Sequence, residues 1–445
     1  MRSWRAPWPA SALLAAALAA YGNAFFGSFQ FDDFNVIVHQ GAVHSFGAWW
    51  DSMPGIRPLL KLSYALSWSA GGGDVFAFHV VNLAAHAANV LLAWQILRTL
   101  FERMGVGGEG FAAFAAALLF AVHPAHTEAV TYVSGRSTSM MALFYLASVL
   151  AYLRRAPRGV SPALFLAALA TKEVAVTLPF ALLLCEALDL RHRFEWRMVL
   201  RRQVLHWGVL GLGLLAMAAL PRYREMLEAS LALRSLADQL ALQTGALVRH
   251  VGVLILAIPP NIDPEIVPAP PVAGLVILAA IAAGFALLRA QPWVALALLW
   301  FFLHLAPTNS FLPRLDAVND RQLYLASIGP LALAGIAIAL LPRGRSVLAA
   351  ALALALGLGT VLRNQDYRSE VALWSDTVRQ SPANARAFNN LGFALQQEGL
   401  RDEACAAYAE ALRQDAEQLR AAVNYRELRC SPDLRSPGAA PETPR

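Results

Sequence analysis

Two adjacent carboxylates, Asp32 and Asp33, lie in the stretch FQFDDFNVIVHQ, residues 29–40, directly after an apolar run that reads as a membrane span. Like charges side by side raise each other's pKa, and charge at the edge of a bilayer is costly unless something uses it. With one carboxylate ionised, such a pair can take the proton of an acceptor hydroxyl as its oxygen attacks carbon, which is general-base chemistry. The competing reading is a helix cap or a solvated loop pair, because Asp is a common N-cap.

Four other constellations carry polar chemistry. The loop HPAHTEAVTYVSGR, residues 123–136, places His123, His126, Glu128 and Arg136 between two apolar runs. The two histidines, three apart, can share a helical face and bind a divalent metal with Glu128, although capping and loop hydrogen bonds explain the spacing equally well. Arg136, at a helix start beside Gly135, suits a bidentate contact to phosphate aided by backbone N–H groups. Lys172 and Glu173 are bracketed by apolar runs and read either as a charge pair in a membrane cavity or as the mark of a loop. In LPRLDAVNDRQLYLASIG, residues 312–329, Arg314, Asp316, Asp320, Arg321 and Tyr324 precede an apolar span. Arg321 and Tyr324, one turn apart, can hold an anionic headgroup or simply anchor the span by snorkelling. Arg57 and Lys61 admit the same two readings. HVVNLAAHAAN sets His79, Asn82, His86 and Asn89 in one polar stripe, which serves hydrogen bonding between helices or, for His79 and Asn82, faces a cavity.

The elements that must position these residues are apolar helices. Of the 445 residues 57% are hydrophobic and 15% charged, and the mean hydropathy is +0.48, so the chain is predicted to be an all-α, polytopic membrane helical bundle. Its net charge of +6 sits in short connectors, the pattern that orients membrane proteins, and nucleic acid is excluded as a partner. Twelve apolar stretches, at about 8–26, 76–98, 110–123, 138–153, 160–171, 174–190, 204–220, 240–258, 272–289, 292–306, 323–341 and 346–362, approach bilayer length. The basic connectors at 154–158, 191–202 and 342–345, with the Arg2/Arg5 tail, belong on the cytoplasmic side. That places the three loops with odd chemistry on the opposite face, and it closes with eleven spans if 240–258, ending in Pro259-Pro260, does not cross fully. The N-terminus has the features of a signal peptide, but the many following spans favour a retained first helix.

The predicted transmembrane domain is residues 1–362, with a large external loop at 27–75 whose stretches GAWWDSM and RPLLKLSYALSW read as interfacial helices. From 363 to 430 the chain becomes soluble and helical. Phe388, Leu391, Gly392, Leu395, Gly399, Ala404, Tyr408 and Ala411 fit one tetratricopeptide unit starting at Ala385, with Trp374 and Pro382 as the end of an earlier one. The tail 431–445, rich in Pro and Ala, is predicted to be disordered. Cys185, Cys405 and Cys430 fit neither a disulfide framework nor a zinc site and leave the redox compartment open.

Taken in order, FDDFNVI, RPLLKLSYALSW, HVVNLAAHAANVLL, HPAHTEAVTYVSGR, KE, DRQLYLASIG and RNQDYRSEVALW resemble the transmembrane and tetratricopeptide-repeat containing O-mannosyltransferases, within the type C glycosyltransferase superfamily. The resemblance implies a multi-span inverting enzyme that uses a polyprenyl-phosphate-linked sugar as donor on the external face, with the Asp pair near an acceptor on a protein or glycan. On that reading Asp32 and Asp33 are catalytic, with Arg136, Arg321, Tyr324, Lys172 and Arg57 as candidates for the donor phosphate. His123, His126, Glu128, Glu173, Asp320, His79 and Asn82 are candidates for the acceptor or cavity. No cofactor is certain, a divalent metal being the one candidate. The chain departs from the family at Thr138, where an acidic residue is usual, and at Asp320, where Glu is usual. Its compact Ala/Arg-rich build resembles a bacterial homologue, for which the external face is the periplasm of the inner membrane. Transfer to a lipid or glycan, or a non-catalytic membrane scaffold with a docking repeat, are the alternatives.

Overall fold

The computed structural model describes residues 8–314 and 316–431; the Arg2/Arg5 tail and residues 432–445 of the predicted disordered tail lie outside the described residues. The chain forms two compact units, one of residues up to 260 with 266–365 and one of residues 261–265 with those from 366 onward. Helices account for the regular structure, with no strand among the described residues.

In the first unit α1 (Trp8–Tyr21) leads through the Asp pair to α2 (Phe46–Asp51) and α3 (Pro58–Gly71), the two helices expected in the long loop. Next come α4 (Val75–Arg103), α5 (Glu109–Val122), α6 (Thr127–Val130), α7 (Arg136–Leu153), α8 (Val160–Thr171) and α9 (Leu178–Ala187). Then follow α10 (Trp196–Ala219), α11 (Pro221–Leu231), α12 (Leu236–Leu254), α13 (Pro271–Ala286), α14 (Pro292–Leu305), α15 (Leu323–Ala326), α16 (Ile328–Ala339) and α17 (Arg345–Asp366). Some boundaries have a local cause: α11, α13 and α14 begin with Pro at the first turn, where its missing N–H is not needed, and α3 ends at Gly72 in the left-handed region.

Among the described residues three single helices, Trp8–Phe26, Val75–Arg103 and Arg345–Asp366, are long and apolar enough to cross a membrane. Three bent pairs meet the same test together: α5 with Pro124–Val130 at 56°, α10 with α11 at 80°, and Asp320–Ala326 with α16 at 56°. Two of the three bends fall in the loops 123–136 and 312–329 singled out above.

Helix contact in this bundle runs through small side chains, as it does where lipid removes the usual hydrophobic drive. The α5 run of Ala112, Ala113, Ala115, Ala116 and Ala117 is fully buried against α16. There a Cβ on Gly335 would stand 2.5 Å from the Ala112 carbonyl oxygen. Gly135 shows the same close approach at the site end, where a Cβ would lie 2.0 Å from the Glu128 carbonyl, so only glycine lets α6 fold back beside the start of α7.

The second unit holds α18 (Glu370–Gln380), α19 (Ala385–Gln397), α20 (Arg401–Gln414) and α21 (Leu419–Glu427). Gly392 of α19 admits the Tyr408 ring of α20, a Cβ there coming within 2.6 Å of it. Residues 261–265 pack into this unit, where Asp263, buried at 9% exposure, pairs with Arg386. The expectation for the cysteines is corrected: Cys405 and Cys430, 25 residues apart, form a disulfide, because the turn from α20 into α21 returns the chain to a Cα separation of 5.5 Å. Cys185 alone is free and buried among the described residues.

Gly335→Val is expected to destabilise the first unit by about 1–3 kcal/mol through overpacking against α5. A thermal unfolding midpoint equal to that of the native chain in the same detergent would contradict this packing.

Candidate active site

A cavity of about 880 Å³ opens where the 29–40 segment, α3, the start of α7, the α8–α9 connection and α11 meet. Six cationic side chains, Arg57, Lys61, Lys172, Arg222, Arg314 and Arg321, line it against two carboxylates, Asp32 and Glu225. A smaller recess beside it shares Lys172, Arg314 and Arg321 and continues between Thr138, His304 and Thr308. Asp32 therefore faces a strongly positive chamber.

The two aspartates have different surroundings. Asp33 is fully buried, and its Oδ2 accepts from the Gln30 N–H at 2.9 Å while Oδ1 accepts from the Ser134 N–H at 2.8 Å and from the Ser134 hydroxyl. Burial and the neighbouring Asp32 charge push its carboxyl up from 3.8 to about 7, against the pull of those three donors. Asp32 lies at the cavity wall, and its backbone N–H donates to the Tyr132 hydroxyl at 3.0 Å. One carboxylate anchors the turn and the other is presented by it.

Among the cations, Arg57 is held by Glu173 through Nε to Oε1 at 3.0 Å and Nη2 to Oε2 at 2.8 Å, and the Tyr223 hydroxyl of α11 donates to the same carboxylate at 2.8 Å. Burial opposes ionisation of Glu173, but Arg57 and these hydrogen bonds bring its pKa below the ordinary carboxylate range. Arg321 pairs with Glu128 at 3.3 Å, and its backbone N–H donates to Glu128 Oε2 at 2.9 Å. Lys172 donates from Nζ to the neutral Thr138 hydroxyl at 2.7 Å. Burial and the charges of Arg321, Arg57 and Arg314 hold its ammonium well below the ordinary lysine range. Burial and Arg321 likewise lower Arg314.

Several residues expected at the site stand elsewhere, each for a visible reason. Arg136 is fully enclosed: its Nε donates to Asn82 Oδ1 at 2.7 Å, and its other nitrogens to Ser63 O at 3.0 Å, Ser67 Oγ at 2.9 Å and Phe78 O at 2.9 Å. All three of its nitrogens donate to protein acceptors on α3 and α4, and it does not line the cavity as a phosphate clamp would. Tyr324 points into the bundle, donating to His86 Nδ1 at 2.7 Å and accepting from Asn89 at 3.1 Å. Asp320 is paired with Arg249 of α12. His79 is buried against Gly27, and the Asn82 amide donates to the carbonyls of Val130, Tyr132 and Val133. None of these lines the large cavity.

The metal reading of the histidine loop is corrected as well. His123 accepts from the Ala125 N–H at Nδ1 and meets the Leu254 carbonyl at Nε2, while His126 bonds to the Phe120 carbonyl and the Ser327 hydroxyl. Both ring nitrogens of each are engaged, Glu128 is committed to Arg321, and no group of three metal-ligating side chains occurs among the described residues. These side chains fasten the buried 123–136 segment. Ser134, Tyr132, Arg222 and Tyr223 were not singled out by sequence reasoning. The first two lie inside the quoted HPAHTEAVTYVSGR motif, and the other two follow Pro221 at the end of an apolar run.

Because the Asp33 pKa is raised on folding, the stability it contributes is fully present below pH 3.8 and is lost as pH rises through about 7. The difference in unfolding midpoint between the native protein and Asp33→Asn isolates this contribution and is expected to shrink between pH 5 and pH 8. At the low end Asp33→Asn, by facing an amide N–H₂ toward the Gln30 N–H, costs about 1–3 kcal/mol. A difference that stays constant over this range would contradict the assignment.

The chain is 40% identical over 152 residues to Protein O-mannosyl-transferase Tmtc1 of Drosophila melanogaster, covering 33% of this chain and 16% of that protein. It is 34% identical over 172 residues to Protein O-mannosyl-transferase TMTC1 of Homo sapiens, covering 35% and 19%. With Protein O-mannosyl-transferase Tmtc2 of Drosophila melanogaster it shares 35% identity over 191 residues, covering 40% and 18%. The matched region is thus less than a fifth of the length of these relatives. No family model and no solved structure matches. Over this third or more of its length, the all-α membrane chain is similar to the TMTC protein O-mannosyl-transferases.

Proposed function

We propose that the chain is a membrane glycosyltransferase that moves a sugar, mannose or another hexose, from a polyprenyl-phosphate donor to an acceptor hydroxyl on its non-cytoplasmic face. The observation that carries this reading is a single cavity lined by Asp32 together with Lys172, Arg314 and Arg321. A sugar linked to a lipid phosphate needs an anion site for the phosphate and a base for the incoming hydroxyl, and these are what the lining offers. The names of the relatives support the acceptor as a protein hydroxyl and the sugar as mannose.

In this mechanism the acceptor oxygen bonds to the anomeric carbon as the bond from that carbon to the phosphate oxygen breaks. The hydroxyl proton passes to Asp32. The bonding pair leaves with the lipid phosphate, whose added negative charge is met by Lys172, Arg314 and Arg321. Direct displacement inverts the anomeric configuration. Asp33, with both oxygens engaged by Gln30 and Ser134, positions Asp32 rather than sharing its proton. Arg57 and Glu173 brace the wall against α11 through Tyr223.

The loop charges support eleven spans with the site and the second unit on the external side. The Cys405–Cys430 disulfide fits that side too, since disulfides persist in oxidising compartments. In a bacterial cell this is the periplasmic face of the inner membrane. The second unit, with one full tetratricopeptide unit and part of another, is then a short repeat domain.

The test is sugar transfer by the purified full chain in nanodiscs, supplied with labelled polyprenyl-phosphate mannose, a panel of other polyprenyl sugars and acceptor peptides. The native chain is expected to turn over at least one donor, and Asp32→Asn to lower kcat by about 10²–10⁴-fold with normal membrane insertion. Turnover undiminished in Asp32→Asn removes the base assignment. Failure of every donor and acceptor removes the glycosyltransferase reading.

A further inference from the structure

Away from the Asp32 cavity the first unit encloses a second charged chamber, of about 460 Å³. α7 begins with Arg136 near the first cavity and ends at Leu153, about 27 Å along its axis at 1.5 Å per residue. At that far end the Leu153 carbonyl accepts from Arg103 at 2.7 Å, and Arg103 lines the second chamber. Five arginines line it against three carboxylates.

The pairing leaves the excess positive charge at the opening. Asp189 holds Arg191 at 3.0 Å and Arg103 at 3.6 Å, and Glu186 holds Arg202 at 2.5 Å. Arg103 is only 9% exposed, and its Nε has no hydrogen-bond partner among the described residues. Arg155 and Arg193 complete the cationic lining without an ion pair among the described residues. A buried guanidinium with an unused donor, in a chamber whose five arginines outnumber its three carboxylates, calls for an anion.

An apolar groove adjoins this chamber. It measures about 760 Å³, runs between α9, α13 and α14, and shares Phe194 with the chamber as a common wall. Leu183, Phe285, Leu299 and Phe302 line its length, and Arg289 is its one charged lining residue among the described residues. Arg289 is itself turned to the chamber side, donating to the Asp189 carbonyl at 3.1 Å. A basic chamber joined to an apolar groove across one aromatic ring matches a molecule with a phosphate head and hydrocarbon chains.

From this juxtaposition we infer a binding site for one anionic phospholipid, its phosphate in the Arg103–Arg155–Arg193 chamber and an acyl chain in the α9–α13–α14 groove. A free phosphate would use the chamber and leave the groove empty. A zwitterionic lipid would bring a cation toward five arginines, whereas an anionic headgroup offsets their excess charge. The bound lipid ties the connector between α9 and α10 to α13 and α14, at the end of the bundle that the proposed chemistry does not use.

Native mass spectrometry of the purified full chain tests this with added phosphatidylglycerol, phosphatidylcholine and inorganic phosphate as probes. Phosphatidylglycerol is expected to bind roughly tenfold or more tightly than phosphatidylcholine and to resist displacement by millimolar phosphate. Arg155→Gln/Arg193→Gln is expected to weaken phosphatidylglycerol by about thirty-fold, from the loss of two cations near an anionic headgroup. The matched pair Arg343→Gln/Arg345→Gln, in a different basic connector, leaves it unchanged. Equal binding of the two phospholipids, equal losses in the two variant pairs, or ready displacement by inorganic phosphate would each overturn the assignment.

Discussion

The burial of the Asp33 carboxyl is the constraint on which the site depends. A carboxyl with no access to water must be given hydrogen-bond donors or a proton. Its donors come from Gln30 on its own turn and from Ser134 on a segment 101 residues later in the chain. That link fixes the end of α1 to the 123–136 segment, and the segment in turn carries Tyr132 to the Asp32 backbone and Glu128 to Arg321. Gly135 makes the arrangement possible, because the Glu128 carbonyl occupies the space a Cβ would need. Asp32 and Arg321 are therefore held by neighbouring residues of one buried strip of chain.

The charges of the cavity are unevenly compensated. Arg57 has Glu173 and Arg321 has Glu128, each a close carboxylate within the protein. Lys172 has a threonine hydroxyl at the position where the resembling family usually has an acid. Like charges crowded in a low-dielectric recess repel, and the lysine responds by releasing its proton more readily. An anion held beside Lys172 offsets that repulsion and favours its charged form. A cavity built this way favours an anionic ligand over a neutral one.

Much of this was legible from local pattern. The apolar runs gave the helices, the loop aromatics gave α2 and α3, and the Asp32/Asp33 loop, the 123–136 loop and the 312–329 loop all reach one cavity, through Asp32, Ser134 and Arg321. What could not be read was the direction of a polar side chain at a helix end. Arg136 and Arg321 look alike in sequence. One is drawn inward by Ser63, Ser67, Phe78 and Asn82, whose convergence depends on how α3 lies across α4, and the other reaches the cavity beside Glu128. Tyr324 was turned by the same kind of distant contact, since its acceptor His86 is 238 residues away. The disulfide was hidden because only the α20–α21 turn brings Cys405 and Cys430 together. Arg222 and Tyr223 were hidden by the 80° break between α10 and α11, which turns a predicted connector into a wall of the cavity.

The central claim is that one cavity divides the work, with a cation wall that holds the donor and a carboxylate that acts only on the acceptor. Its most direct measurement is the equilibrium affinity of the full chain for polyprenyl-phosphate mannose without acceptor, compared between the native protein, Asp32→Asn and Lys172→Met. Asp32→Asn is expected to bind the donor as well as the native chain, and Lys172→Met to bind it about tenfold or more weakly, a charge-assisted contact to phosphate having been removed. Donor affinity unchanged in Lys172→Met, or lost equally in both variants, would contradict the division.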